Sequence, residues 1–165
     1  MPLIKRTLAS TFISALILFS THALAEEPSP TVQTSALAGH IVHQMVDAAV
    51  ADCSSKGYKV AASVTDRHGN LVAFLRAPLA GAHTILVSQR KAYTSATLQA
   101  PTSSLANRTD LSFADNILLI TGGLPISIGG TFYGGIAVSG AEPEIDEECA
   151  QAGIDAVADT IEFGE

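Results

Sequence analysis

The stretch YKVAASVTDRHGNLVAFLRA, Tyr58–Ala77, decides the fold. Tyr58 to Asp66 reads as a strand in which Val60 and Val64 stand among small residues, and Leu71 to Ala77 returns as a second strand. Between them Arg67-His68-Gly69-Asn70 supplies a tight turn, with Gly69 free to take a positive φ. Strands so close in sequence pair antiparallel, because parallel neighbours need a crossover of a dozen or more residues.

Upstream, Leu37, Ile41, Met45, Ala48 or Ala49, and Asp52 or Cys53 recur at helical spacing. Ser35 is the expected N-cap and Gly57 the stop, a helix of about five turns. Downstream, Pro78 and Gly81 break the chain, and Ala82 to Gln99 suits a second helix that ends before Pro101. Residues 102 to 116 read as a loop with one helical turn, and Ile117 to Thr121 as a short buried strand. Gly122-Gly123-Leu124-Pro125 leads into a strand over Ile126 to Ile128, and a Gly129-Gly130 turn precedes the longest strand, Thr131 to Ser139. Gly134 and Gly135 forfeit packing inside that strand and mark a bulge or a place where something approaches the backbone closely. Pro143 suits a first helical position, and Glu144, Asp146, Glu147 and Glu148 put negative charge near that helix N-terminus. Ile145, Cys149, Ala152, Ala156 and Ile161 are its expected apolar stripe. Hairpin-linked strands with helices between the groups imply an α+β sandwich, an antiparallel sheet covered by helices.

The 165 residues allow one domain and a real core. With 47% hydrophobic and 15% charged residues the chain is aliphatic and not disordered by composition. Nine basic residues scattered among sixteen acidic ones argue against a nucleic-acid backbone as partner, which needs a concentrated basic stripe. Lys5 and Arg6, the apolar run Leu8 to Phe19 and Ala23-Leu24-Ala25 read as a cleaved secretory signal over residues 1 to 25, too short to span a membrane. Residues 26 to 34, with Pro28 and Pro30, read as a flexible leader, and 35 to 165 as the domain. Export places the product in the periplasm or outside the cell, where Cys53 and Cys149 are free to form a disulfide if the first and last helices pack side by side.

Sequence signals for chemistry are few. There is no Gly-x-Ser-x-Gly elbow, no Walker loop and no dinucleotide fingerprint, and the distant cysteines do not suggest structural zinc. His68 reads as a solvated turn residue. His40 and His43, three apart on the first helix, can share one metal or one face of a cofactor, or simply be exposed. His83 opens the second helix and aligns with Val87, Arg90 and Thr94, or serves only as a capping residue. An imidazole, a cation and an apolar surface in one strip are what a haem needs: an iron ligand, a propionate partner and a flat wall. Arg90-Lys91 is the one adjacent basic pair after the signal, suited to hold a carboxylate or to pair with a surface acid.

The series Ala61-Ala62-Ser63-Val64-Thr65-Asp66, Gly69-Asn70-Leu71, Gly81-Ala82, Lys91-Ala92 and Pro101-Thr102 resembles the GlcG/HbpS-like haem-binding family, related to the C-terminal domain of PduO. The closing half is the more specific: Gly122-Gly123-Leu124-Pro125-Ile126, Gly130, Gly134 to Ala141, and Asp146 to Gly153. The resemblance runs from about Ser35 to Ile161. It implies a profilin-like fold, a central antiparallel sheet flanked by helices, assembled into dimers or larger oligomers, and members that bind haem, sometimes degrade it, or bind corrinoids. The first functional expectation is therefore an exported tetrapyrrole-binding protein with haem as ligand. On the chemistry of the residues, His83 is the first candidate for the iron ligand and His40 or His43 the next, Arg90 or Lys91 is expected to meet the propionates, and Gly122, Gly123, Gly134 and Gly135 to admit a flat ligand. The alternatives are an enzyme, degrading haem or acting on a small organic acid, and a non-catalytic assembly or sensor accessory.

Overall fold

The computed structural model describes residues 29–164, so the expected signal and the first residues of the leader lie outside the described residues. The chain divides into two units, Met1–Val32 and Gln33–Glu165. Of the first, only an irregular stretch from Ser29 is described; the regular elements among the described residues all lie in the second.

Helix α1 spans Gly39–Ser55 and is followed by the hairpin β1 (Ala61–Asp66) and β2 (Leu71–Arg76). Helix α2 (His83–Leu98), two single 3-10 turns (Thr102–Leu105 and Thr109–Phe113), β3 (Gly123–Ile128), β4 (Thr131–Ser139) and α3 (Pro143–Phe163) complete the order. The sheet is antiparallel throughout, in the order β2-β1-β4-β3. This is an α+β fold, with α1 and α3 packed together on one face of the sheet and α2 on the other.

The face under α1 and α3 holds the apolar core. Ala62 and Val64 of β1, Ile136 and Val138 of β4, and Leu124, Ile126 and Ile128 of β3 alternate toward it. They meet Met45, Val46 and Ala49 of α1 and Ile154 and Val157 of α3. Cys53 and Cys149 are joined in a disulfide between these two helices, Cα atoms 5.6 Å apart and 96 residues apart in sequence. A closed loop of that length stabilises by about 4–5 kcal/mol in the loop-entropy account.

Several expectations change: β1 starts at Ala61 rather than Tyr58, and four other differences each have a local reason. Helix α1 starts at Gly39, after Ala38 as N-cap, not near Ser35. Leu37 is instead half-buried against the core, and Leu37 and Val42 hold the two positions of a hydrophobic staple that fixes the chain's entry. Strand β3 begins three residues earlier than expected and includes Pro125, tolerated because β3 is an edge strand. Ile117 to Thr121 is not a strand. Its backbone is held by side chains of α2: Arg90 Nη2 donates to the Ile117 carbonyl at 2.8 Å, and the Leu118 N–H donates to Thr94 Oγ1 at 2.8 Å. The buried stripe of α3 is Asp146, Cys149, Ala150, Gly153, Ile154 and Val157, rotated from the expected set, and Ala156 is exposed. The cause is Gly153, where a Cβ would stand 2.7 Å from the Met45 carbonyl oxygen, so α1 and α3 make their close approach on that side.

The hairpin is fastened by a carboxylate. Asp66 Oδ1 accepts the N–H groups of His68 at 2.8 Å and Asn70 at 2.9 Å, and Oδ2 accepts from Asn70 Nδ2 at 3.0 Å. Partial burial opposes the charge, but the Asn70 and His68 hydrogen bonds outweigh it and hold Asp66 below the usual carboxylate range. A depressed carboxylate contributes stability in full above the unfolded value, about 3.9, and loses it as pH falls through the folded value. Chemical denaturation between neutral and acid pH is expected to show that loss. Asp66→Ala should be less stable at neutral pH by about 1–3 kcal/mol, with the difference shrinking in acid.

Helix α2 sits so close to the sheet that glycine is required beneath it. A Cβ on Gly135 would lie 2.4 Å from the Ala92 carbonyl oxygen and 2.6 Å from Ser95 Oγ. Gly135→Ala is expected to cost about 3 kcal/mol in urea denaturation, since backbone blocks the new methyl and cannot yield as a side chain end would.

Candidate functional site

Helix α2 presents two unlike faces. Its inner face is small and polar: Ser88 Oγ and Ser63 Oγ are 2.8 Å apart, and Ser95 Oγ lies 3.1 Å from the Leu124 carbonyl oxygen and 3.0 Å from that of Ala92. These buried hydroxyls are paired, so the helix packs closely without stranding polar groups. Arg90 and Lys91, adjacent in sequence, point roughly 100° apart on a helix of 3.6 residues per turn. They consequently serve different faces.

Lys91 goes inward and is 1% exposed. Its Nζ lies 2.8 Å from Asp146 Oδ2, in the first turn of α3, and 3.1 Å from the Val138 carbonyl oxygen of β4. Asp146 is 2% exposed, and its Oδ1 accepts the Ala141 N–H at 3.0 Å. Burial pushes the Asp146 carboxyl above the usual range, against the pull of the Lys91 ammonium and the Ala141 hydrogen bond. Lys91 is thus committed inside the chain and does not meet a propionate at the surface. Asp146 is the partner of Lys91 that sequence reasoning missed. The available signal was an acid three residues before Cys149, on the same helical side as a residue expected to be buried.

The four glycines are likewise used by the chain itself. A Cβ on Gly122 would lie 2.6 Å from Lys91 Nζ, one on Gly123 2.7 Å from the Lys91 carbonyl oxygen, and one on Gly134 2.0 Å from that of Thr65. With Gly135 under Ala92, the close approach expected at all four positions is real, but the approaching group is α2 or β1 and not a ligand. His40 and His43 are exposed on α1, which packs on the other face of the sheet from α2, so they share no hollow with His83. Among the described residues no three His, Cys, Asp or Glu side chains converge to hold a metal ion.

The outer face of α2 remains. His83 is exposed at the first helical position, and its ring lies over Gly81, where a Cβ would stand 2.6 Å from Cε1 and 2.7 Å from Nδ1. Gly81 therefore seats the imidazole. Further along α2, Leu86, Arg90 and Tyr93 line an open hollow of about 160 Å³ with Leu71 of β2 and Asn116. Leu71 and Leu86 are 47% and 60% exposed, an apolar wall facing solvent. Tyr93 packs where Gly69 leaves room, and among the described residues Arg90 donates to the Ile117 carbonyl with one of the five N–H groups a guanidinium offers. A second hollow, about 380 Å³, is lined by Glu144, Glu147 and Glu148 at the start of α3, a sign that repels anions.

The model of the family described as haem degrading protein HbpS-like matches residues 37–155. The chain belongs to this HbpS-like family. Among solved structures it is similar to the crystal structure of HbpS, with 32% identity and a TM-score of 0.75 over 81% of this chain and 99% of that one. A double mutant of HbpS from Streptomyces reticuli is similar at 29% identity and TM-score 0.74, covering 91% and 99%. The PduOC:heme complex is similar at 26% identity and TM-score 0.68, covering 74% and 95%. Among curated proteins no match is found. The HbpS-like span contains His83, Arg90 and the Lys91–Asp146 pair, so both faces of α2 lie within it.

The pair itself gives a test. Lys91→Met leaves the Asp146 carboxyl buried without its cation and is expected to cost about 3–5 kcal/mol in chemical denaturation. Lys91→Met combined with Asp146→Asn keeps an acceptor for the Ala141 N–H and should recover most of that loss, a coupling read directly from the double-mutant cycle.

Proposed function

We propose that this chain is an exported haem-binding protein that holds the iron with His83 and a propionate with Arg90 on the outer face of α2. The single observation that carries the reading is the strip itself: an accessible imidazole seated on Gly81, an exposed apolar wall at Leu71 and Leu86, and a guanidinium with donors to spare. From position 83 to 90 the helix rises about 10 Å, a span comparable with that from a haem iron to its propionate carboxylates. Membership of a family described as haem degrading, and likeness to a heme complex of PduOC, support the ligand class.

The residues fit one face of a haem. Neutral imidazole is an iron ligand, and the Arg90 fork matches a carboxylate. The hollow is smaller than the roughly 300–1,000 Å³ of sites that enclose a ligand, so it takes an edge of the macrocycle only. A second copy of the chain covers the opposite face in this reading. The periplasm or the cell exterior, reached through the signal over residues 1 to 25, is the proposed location, and the disulfide suits an oxidising compartment. No helix among the described residues is long and apolar enough to cross a membrane.

The family description favours one further reading, that bound haem is degraded. Haem would supply the redox chemistry through its own iron, with an external oxidant or reductant, and the chain's residues hold and orient it. Faster bleaching of the haem spectrum with iron release, compared with free haem under peroxide, marks this activity.

Titration of the purified protein with haemin is expected to develop a shifted Soret band. His83→Ala should abolish the shift or move it to that of a weaker ligand set, and Arg90→Ala should weaken binding about tenfold. His40→Ala with His43→Ala should change nothing. A spectrum indifferent to His83→Ala removes the assignment, and no Soret shift at all removes haem.

A further inference from the structure

A half-enclosed cavity of about 120 Å³ lies on the side of the hairpin that faces α1, away from the α2 strip. Leu37, Val42, Val64 and Val72 make its apolar walls, and Arg67 and Tyr133 bring polar groups to it. Its size is close to that of an engineered apolar cavity of about 150 Å³ that takes benzene. A compact ring or short branched chain therefore fits, and a tetrapyrrole does not.

Charge decides which compact molecule. Asp66, His68 and Tyr133 are the other titratable groups lining the cavity beside Arg67. Both Asp66 oxygens are occupied by the turn, on the N–H groups of His68 and Asn70 and on Asn70 Nδ2. Among the described residues Arg67 has no carboxylate partner, and its guanidinium carbon lies 5.8 Å from the Phe132 ring centroid. Attraction to an aromatic face at that range restrains a guanidinium while leaving its N–H donors open. An apolar pocket with a pre-placed, unpaired guanidinium matches a carboxylate carried on a small apolar body.

We infer that this cavity binds a small monocarboxylate, its apolar body against Val42, Val64 and Val72 and its carboxylate on Arg67. Thr34 to Leu37, without regular structure and largely exposed, forms one wall and is the strap through which the ligand enters. The site is separate from the proposed haem strip, although Thr65 borders both hollows from β1.

Titration of the disulfide-bonded protein, without haemin, with benzoate and its neutral counterpart benzyl alcohol tests this through amide resonances. Benzoate should shift the amides of Leu37, Val64 to His68 and Val72, and benzyl alcohol should bind about tenfold more weakly. Arg67→Gln should lose that discrimination, Arg67→Lys should restore part of it, and Val72→Phe, which fills the cavity with the charge intact, should weaken both probes. The proposal is overturned if benzoate leaves these amides unmoved, if Arg67→Gln binds benzoate as well as the parent, or if Val72→Phe binds both probes unchanged. Haemin binding by the same variants separates this outcome from the fate of the α2 strip.

Discussion

The seating of α2 on the sheet is the constraint from which the rest of the molecule follows. At Gly135 and Gly123 the helix backbone stands where a Cβ would be, so helix and sheet meet through carbonyl oxygens, hydroxyls and hydrogens with almost no side-chain layer between them. Such an interface buries little apolar area per residue, and burial at about 25 cal/mol per Å² cannot be its main support. The polar groups that close packing buries there are matched to one another, Ser63 with Ser88 and Lys91 with Asp146, so the interface strands none of them. The ion pair also couples layers: it leaves α2, passes the Val138 carbonyl of β4 and ends in the first turn of α3. The disulfide does the corresponding work on the other face, tying α1 to α3. Helices on opposite faces are thereby fixed to one frame, one through a charge and the other through a covalent bond.

That frame leaves the outer face of α2, where the proposed haem strip lies, free of the sheet. A helix held this tightly cannot rotate to bury Leu86 or to bring Lys91 out, so its outward residues are presented at fixed spacing. Preorganisation of this kind lowers the entropy lost when a rigid planar ligand docks. It also accounts for the open form of the hollow: with the inner face of α2 spent on the sheet, only the shallow angle between α2 and β2 remains, and β2 is an edge strand that α2 barely covers.

How much of this was legible in the sequence differs by residue. The hairpin, the three helices and the long strand were readable because alternation, helical spacing and Gly69 all agree there. The α+β class follows from those elements and the family resemblance from the ordered residue series along them, and both are met by the fold and the family match. Ile117 to Thr121 misled because an apolar run of that length has no period of its own; its backbone partners are the side chains of Arg90 and Thr94, which no local pattern reveals. The glycines were correctly singled out as places of close approach, but a missing Cβ does not say which neighbour arrives. Lys91 illustrates the same limit. Adjacent to Arg90 it reads as half of a surface doublet, and only the placement of Asp146, 55 residues away, turns it inward.

The distribution of charge gives the two hollows beside the hairpin a common logic. Past the expected signal, seven basic side chains face sixteen acidic ones, so positive charge is scarce and where it stands matters. Lys56 is bound to Asp52 and Glu148, Lys91 to Asp146 and Arg108 to Asp110. Lys59, Arg67, Arg76 and Arg90 have no carboxylate partner among the described residues, and of these Arg67 and Arg90 each line a hollow with apolar walls, both hollows bordered by Thr65. Surface ion pairs are worth little, so an arginine loses almost nothing by forgoing one. Within an apolar hollow, where the local dielectric falls, the same guanidinium gains far more from a carboxylate than it would in water. In a chain this acidic, the two arginines without a carboxylate partner place positive charge at two recesses, the sign that both proposed anionic ligands require.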